Sequence, residues 1–157
     1  MIEIRQADCP DEKSAITLAI MHSLPQWFSP PEDIDRKAAL YRDFPFFAAY
    51  DGARAVGFLA LKLHNEYTGD VHSVGVLEEY HRQGVGAGLL SMAEDYLRER
   101  NYRYLTVKTL DASADYEPYE RTRKFYAKQG FVPLEVFTHY WDEDNPCLFL
   151  VKGIPPC

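Results

Sequence analysis

Several features that would assign this chain at once are missing from it. No Gly-Lys-Ser/Thr follows any of its glycines, which argues against Walker-type nucleotide hydrolysis. No apolar run reaches membrane length, and no basic stretch followed by an apolar one opens the chain; neither anchoring nor export is expected. Blocks of Lys and Arg are lacking and the formal charge is −7, which argues against a nucleic-acid surface. Only three cysteines occur, Cys9, Cys147 and Cys157, odd in number and in no metal-ligand spacing. Free thiols in a reduced cytoplasmic setting, with no metal, are the expectation. Repeats, low-complexity tracts and interdomain linkers are absent too. At 157 residues, 46% of them hydrophobic, the chain is expected to form one soluble domain, residues 1–157, around one core.

What is there concentrates between Val74 and Leu90. A β-branched run, Val74-Gly75-Val76, passes through Leu77-Glu78-Glu79-Tyr80-His81-Arg82-Gln83 into Gly84-Val85-Gly86-Ala87-Gly88 and a helix that continues with Leu89 and Leu90. Unpaired backbone N–H groups at such a helix start, with the positive end of the helix dipole, form an anion site. Glycine lets a diphosphate approach those amides without a Cβ in the way. A dinucleotide fingerprint fits poorly, because the third glycine comes one residue early and seven residues separate Val76 from Gly84. Asp111 could still imitate the ribose-binding acid, and glycines that merely allow close packing on a sheet are the plain alternative.

The remaining pattern reads as short elements in sequence. Ile2 to Arg5 alternates as a strand, and Asp11 or a neighbour caps a helix with Ile16, Ala19 and Ile20 on one face. After a loop containing Trp27 and Phe28, a second helix is predicted from about Glu32 to Arg42. Asp51-Gly52-Ala53-Arg54 signals a hairpin between two hydrophobic strands. Asp70–Val76 is the fourth strand, and Leu89, Leu90, Ala93, Tyr96 and Leu97 form the buried side of the glycine-opened helix. Arg103–Thr109 is the fifth strand. A helix closed by Gly130 and two strands, about 131–138 and 147–152, complete the chain, with Tyr140–Pro146 as a long loop between them.

The segment from Val74 to Leu90 resembles motif A of the GNAT superfamily of acetyl-CoA-dependent N-acetyltransferases. His81-Arg82-Gln83-Gly84-Val85-Gly86 falls on Gln/Arg-x-x-Gly-x-Gly/Ala, with His81 where Gln or Arg is usual and Arg82 shifted by one. Arg123-Lys124-Phe125-Tyr126-Ala127-Lys128-Gln129-Gly130-Phe131 resembles motif B, a helix that carries a tyrosine and ends at Gly-Phe. The resemblance covers about residues 45–152. It implies an α/β (α+β) fold in the order βααβββαβαββ, with a mixed, mostly antiparallel sheet of about seven strands and helices on both faces.

It also implies a site. The fourth and fifth strands splay beyond a β-bulge, and the pantetheine arm of acetyl-CoA lies in the gap, paired with backbone groups of Val74 and Val76. Gly75 fits the bulge, since glycine inside a strand often marks one. His81, Arg82, Gln83, Gly84, Val85, Gly86, Ala87 and Gly88 then surround the pyrophosphate. Tyr126 resembles the motif B tyrosine that donates to the leaving thiolate, and the Val76 amide is the expected donor to the thioester carbonyl.

The chemistry asks for little more. A lysine-like ammonium costs about 4–5 kcal/mol to deprotonate at pH 7, so a base matters most for such acceptors. Asp70 and His72, two apart on the fourth strand, are the candidates, with Glu66 a third. No cysteine lies in a motif for an acyl-enzyme, so direct transfer in a ternary complex is expected. Trp27, Phe28, Tyr67, Tyr116, Tyr119 and Trp141 could line a pocket for a small-molecule or peptide amine, with Glu117 and Glu120 binding a cation; aromatic caps or a homodimer contact account for them equally. A non-catalytic acyl-CoA sensor and a nicotinamide-dependent oxidoreductase are the competing functions.

Overall fold

The computed structural model describes residues 1–157. Its elements run β1 (Ile2–Gln6), α1 (Pro10–His22), α2 (Pro31–Leu40), β2 (Phe46–Asp51), β3 (Arg54–Leu63), β4 (Thr68–Val76), α3 (Val85–Glu99), β5 (Tyr104–Leu110), α4 (Glu117–Lys128), β6 (Val132–Asp142) and β7 (Asn145–Gly153). The strands make one seven-stranded sheet in the order β1-β2-β3-β4-β5-β7-β6. Every neighbouring pair is antiparallel except β4 and β5. That one parallel pair needs a crossover, and α3 supplies it. The order and the mixed sheet are those expected from the sequence.

Helix α1 packs on β3 and β4 from one side, while α3 packs on β1 to β4 from the other. Close approach is written into two glycines: a Cβ on Gly75 would meet Ile20 of α1 and Phe58 at 3.2 Å, and one on Gly69 would meet Leu97 of α3 at 2.9 Å. The core between the layers contains Ile20, Met21, Phe58, Leu61, Leu89, Leu97 and Leu105, each almost wholly buried. Burying one such side chain stabilises the fold by about 1.5–3 kcal/mol. Helix α3 buries Leu89, Leu90, Ala93 and Leu97 along one stripe, as its periodicity predicts.

The sheet is split at its centre. The β4–β5 ladder joins Thr68–Val71 to Tyr104–Val107 and goes no further. Beyond it β4 stays with β3 as far as Val76, and β5 stays with β7 as far as Leu110. A gap therefore opens between the ends of β4 and β5.

The bulge that bends β4 lies elsewhere than the sequence suggests. Register passes from Ala60↔Ser73 to Leu61↔Val71, so His72 is the extra residue, whereas Gly75 is paired regularly with Phe58. Gly75 serves the close packing of α1, not the bulge. Helix α1 is N-capped by Cys9 ahead of Pro10, with Asp11 inside the first turn; proline's fixed φ starts the helix without a side-chain cap. Tyr140–Pro146 is mostly strand: β6 continues to Asp142 and β7 begins at Asn145. An irregular register between Phe137 and Asp142 hides that arm from a period-two reading. Gly130, at φ +97°, closes α4 as expected.

Candidate active site

The split sheet is the floor of a cleft of about 1270 Å³, walled by the α1–α2 loop, the start of α3, α4 and the β6–β7 arm. Its donor end is made of main chain. Leu77 N–H donates to the Val56 carbonyl at 2.9 Å. Because antiparallel pairs alternate, the N–H and C=O groups of Val74 and Val76 point away from β3, into the gap. Past β4, the chain turns through Arg82 at φ +65° and Gly84 at φ +78°, the N-cap of α3. The amides from Arg82 to Ala87 have no acceptor within the protein. Such a row of aligned donors at the head of a fifteen-residue helix suits a diphosphate.

Two of the residues expected around that anion do something else. The Gly88 amide donates to the Gly84 carbonyl at 2.9 Å, inside the first turn of α3. Gly88 is needed for packing instead, since a Cβ there would lie 2.4 Å from Ile4 Cδ1. The His81 side chain turns back onto the strand: its Nε2 lies 2.7 Å from the Val76 carbonyl, and its ring meets Trp27 edge-on at 5.9 Å. His81 thus orients the end of β4 and leaves Arg82 the longer reach. On the opposite wall Gly86 packs under Phe125 of α4.

Tyr126 is 3% exposed, held between Phe125 and Phe131 with ring centroids 5.3 and 5.4 Å away. Its hydroxyl has no protein partner and the residue lines the cleft. Burial pushes this phenol upward, so it stays protonated and able to donate. Thr109 lines the same cleft, and its buried Oγ1 has no hydrogen-bond partner.

The acceptor end is made of side chains. Because His72 is the bulged residue, it and Ser73 fall on the same side of β4, and both reach Tyr41 Oη: His72 Nδ1 lies 2.6 Å away and Ser73 Oγ is also bonded to it. Tyr41, in the 3-10 turn Tyr41–Asp43 after α2, is wholly buried against Phe44, Phe58 and His72. Burial pushes His72 down to about 4; the nearby Asp70 opposes the shift, and Lys37, Lys62 and Lys108 add to it.

Asp70 is tied into a separate cluster. It is 3% exposed, accepts from Thr106 Oγ1 at 2.5 Å, and lies 3.7 Å from Lys108 Nζ and 3.8 Å from His64 Nε2. Lys108 and His72 line the cleft, whereas Asp70 does not. Glu66 is exposed in the β3–β4 turn, outside the cleft. Glu117 and Glu120 are likewise outside it, paired along α4 with Arg121 at 3.5 Å and Lys124 at 3.1 Å. Tyr67 lies under Arg103, away from the site. Trp27, Phe28, Tyr116, Tyr119 and Trp141 do line it.

The α1–α2 loop is strapped across the cleft to α4. Trp27 Nε1 donates to the Pro118 carbonyl at 3.1 Å, Tyr116 Oη to the Gln26 carbonyl at 2.8 Å, and Tyr119 Oη to the Trp27 carbonyl at 2.8 Å. Burial pushes the Tyr119 phenol up to about 12, so it remains a donor across the ordinary pH range.

A cradle of bare amides, a free strand edge beside it and a buried phenol across the gap together suit a thioester of coenzyme A. The acetyltransferase (GNAT) family model matches residues 11–131. The chain belongs to the GNAT family, and it is an acyltransferase of that type. It is 28% identical over 137 residues to YsnE of Bacillus subtilis (strain 168), an uncharacterized N-acetyltransferase; the match covers 85% of this chain and 87% of YsnE. Among solved structures, a GNAT-family acetyltransferase from Desulfovibrio desulfuricans superposes with a TM-score of 0.84 at 18% identity, over 99% of this chain and 100% of that one. An aminoglycoside 6′-N-acetyltransferase complexed with coenzyme A gives 0.76 at 16% identity, over 99% and 98%. The nicotinamide reading of the glycine loop is thereby replaced. No helix is long and apolar enough to cross a membrane.

Proposed function

We propose that this GNAT protein, acting as one N-acetyltransferase domain over residues 1–157, moves the acetyl group of acetyl-CoA to a primary amine of a small molecule or peptide. Attack is direct, in a ternary complex. One observation carries the reading: the acceptor-less amides from Arg82 to Ala87 continue the outward edge of β4, formed by the N–H and C=O of Val74 and the N–H of Val76, whose carbonyl is held by His81. The amides hold the pyrophosphate, and the strand edge pairs with the pantetheine amides as an added strand would.

The gap between β4 and β5 directs the thioester toward the centre of the cleft. There the Val76 amide donates to the carbonyl oxygen as negative charge develops on it. Tyr126 donates a hydrogen bond to the departing sulfur. A thiol of pKa near 8.5 leaves readily, so this help amounts to about tenfold. His72 is the side chain that meets the acceptor amine, and Asp70 keeps Lys108 in place beside it. No cysteine lines the cleft, in keeping with transfer without an acyl-enzyme. The unpaired thiols of Cys9, Cys147 and Cys157 suit a reduced, cytoplasmic setting.

Calorimetry with desulfo-coenzyme A tests the cradle, and an amine panel followed by release of free thiol tests the transfer. Micromolar binding and turnover on at least one primary amine are expected. Folded protein that gives no heat at millimolar ligand would remove the reading.

A further inference from the structure

Within the acetyltransferase reading, the acceptor's amine must lose a proton somewhere, and the bulge decides what His72 can contribute. Tyr41 Oη stands between His72 Nδ1 and Ser73 Oγ. The 2.6 Å contact is a hydrogen bond in which the phenol donates to Nδ1 in one ring tautomer and accepts from it in the other. Only when the phenol gives its proton to Nδ1 does every hydroxyl proton find an acceptor, since the Ser73 hydroxyl has no partner besides Tyr41. Ser73, whose only bond is to Tyr41, then donates to the Tyr41 oxygen. This chain of donors places every hydroxyl proton and leaves the proton of His72 on Nε2.

The other groups around the ring offer no substitute. Asp70 is occupied by Thr106, Lys108 and His64; Lys37 is paired with Asp33 at 3.3 Å; Lys62 and Lys108 are cations. Asp142, at the arm, accepts from Asn145 Nδ2 and the Asp144 amide at 2.9 Å. Only Asp144, at the hairpin tip, is uncommitted in the cleft wall, and it makes no hydrogen bond to His72, Tyr41 or Ser73.

We propose that Tyr41 and Ser73 are positioning residues that hold His72 as an Nε2–H donor, and that the protein therefore acetylates weakly basic amines, such as α-amino groups, which reach the cleft already neutral. The balance is simple. The neutral amine's lone pair forms the C–N bond, the C–S bond breaks, and the proton lost from nitrogen ends on the coenzyme's sulfur. At pH 7 about 10% of an amine with pKa near 8 is neutral, about 200-fold more than for one near 10.4.

Two measurements test this. Nitrogen-15 NMR of the protein alone, which needs no turnover and so stands apart from the acetylation reading, should show His72 as the Nε2–H tautomer. Tyr41→Phe, which removes the hydrogen bond to Nδ1, should let the ring populate the Nδ1–H tautomer as well. In kcat/KM profiles, the acid limb should follow each amine's own pKa, and kcat/KM at pH 7 should favour an α-amino acceptor over an alkylamine of like shape by about 200-fold. His72→Gln, which keeps a donor, should lower the rate less than His72→Ala and leave the limb where it was. An Nδ1–H tautomer in the wild type, or a limb shared by all amines that His72→Gln abolishes, would overturn the proposal.

Discussion

From Val74 to Ala87 the cleft is lined by main chain, whereas around His72 it is lined by side chains drawn from the α1–α2 loop, the turn at Tyr41, β4, α4 and the β6–β7 arm. The first surface recognises a ligand through amide geometry, which any residue with the right φ can supply. The second depends on which side chains the tertiary fold brings together. Substitutions should therefore hurt the donor end where they change the backbone, and the acceptor end where they change a functional group.

The largest expected effect falls on Gly84. A β-branched residue at φ +78° is strained by about 1–3 kcal/mol, so Gly84→Val should turn the amides and weaken coenzyme A binding about 30-fold or more by calorimetry. Arg82→Ala, which removes only an exposed side chain, should cost about threefold or less. Equal losses in the two variants would erase the contrast.

Next comes Asp70. Asp70→Asn leaves Lys108 and His64 without their carboxylate, and chemical denaturation should show a loss of about 1–3 kcal/mol while kcat changes little. A large fall in kcat with stability intact would make Asp70 part of the chemistry. Tyr126→Phe should do the reverse: kcat falls about tenfold, acetyl-CoA affinity holds, and the melting temperature barely moves because the hydroxyl has no protein partner.

A further effect is confined to acid. Folding holds His72 at about 4, below its ordinary 6.5, so the unfolded chain takes up this proton first. The resulting stability is complete above pH 6.5 and is lost as pH falls toward 4. His72→Gln should flatten that part of the stability curve, seen by urea titration at stepped pH.

The contrast also explains what could be read in advance. Gly84 and Gly86 announce the cradle because a local backbone requirement leaves a local residue signature, and the α3 stripe leaves its period in Leu89, Leu90, Ala93 and Leu97. The bulge left no such mark. His72 is the extra residue only because β3 presents Ala60 and Leu61 across from it, a relation between positions eleven and twelve residues apart on strands turned back on each other. Tyr41 and Ser73 were invisible for the same reason: an ordinary tyrosine after a helix and an ordinary serine in a strand gain meaning only when the fold joins them. Gly88 belonged to the visible glycine pattern yet answers to Ile4 of β1, so spacing alone could not separate packing from binding.

Only Thr68–Val71 and Tyr104–Val107 stitch β4 to β5, and that short seam carries the whole join between the two halves of the sheet. A ligand that pairs with the open edge of β4 binds only the folded chain, and at a hundred times its dissociation constant adds about 2.7 kcal/mol of stability. The thermal tolerance of the protein is thus coupled to the supply of its acyl donor, and the chain is sturdiest when there is work for it.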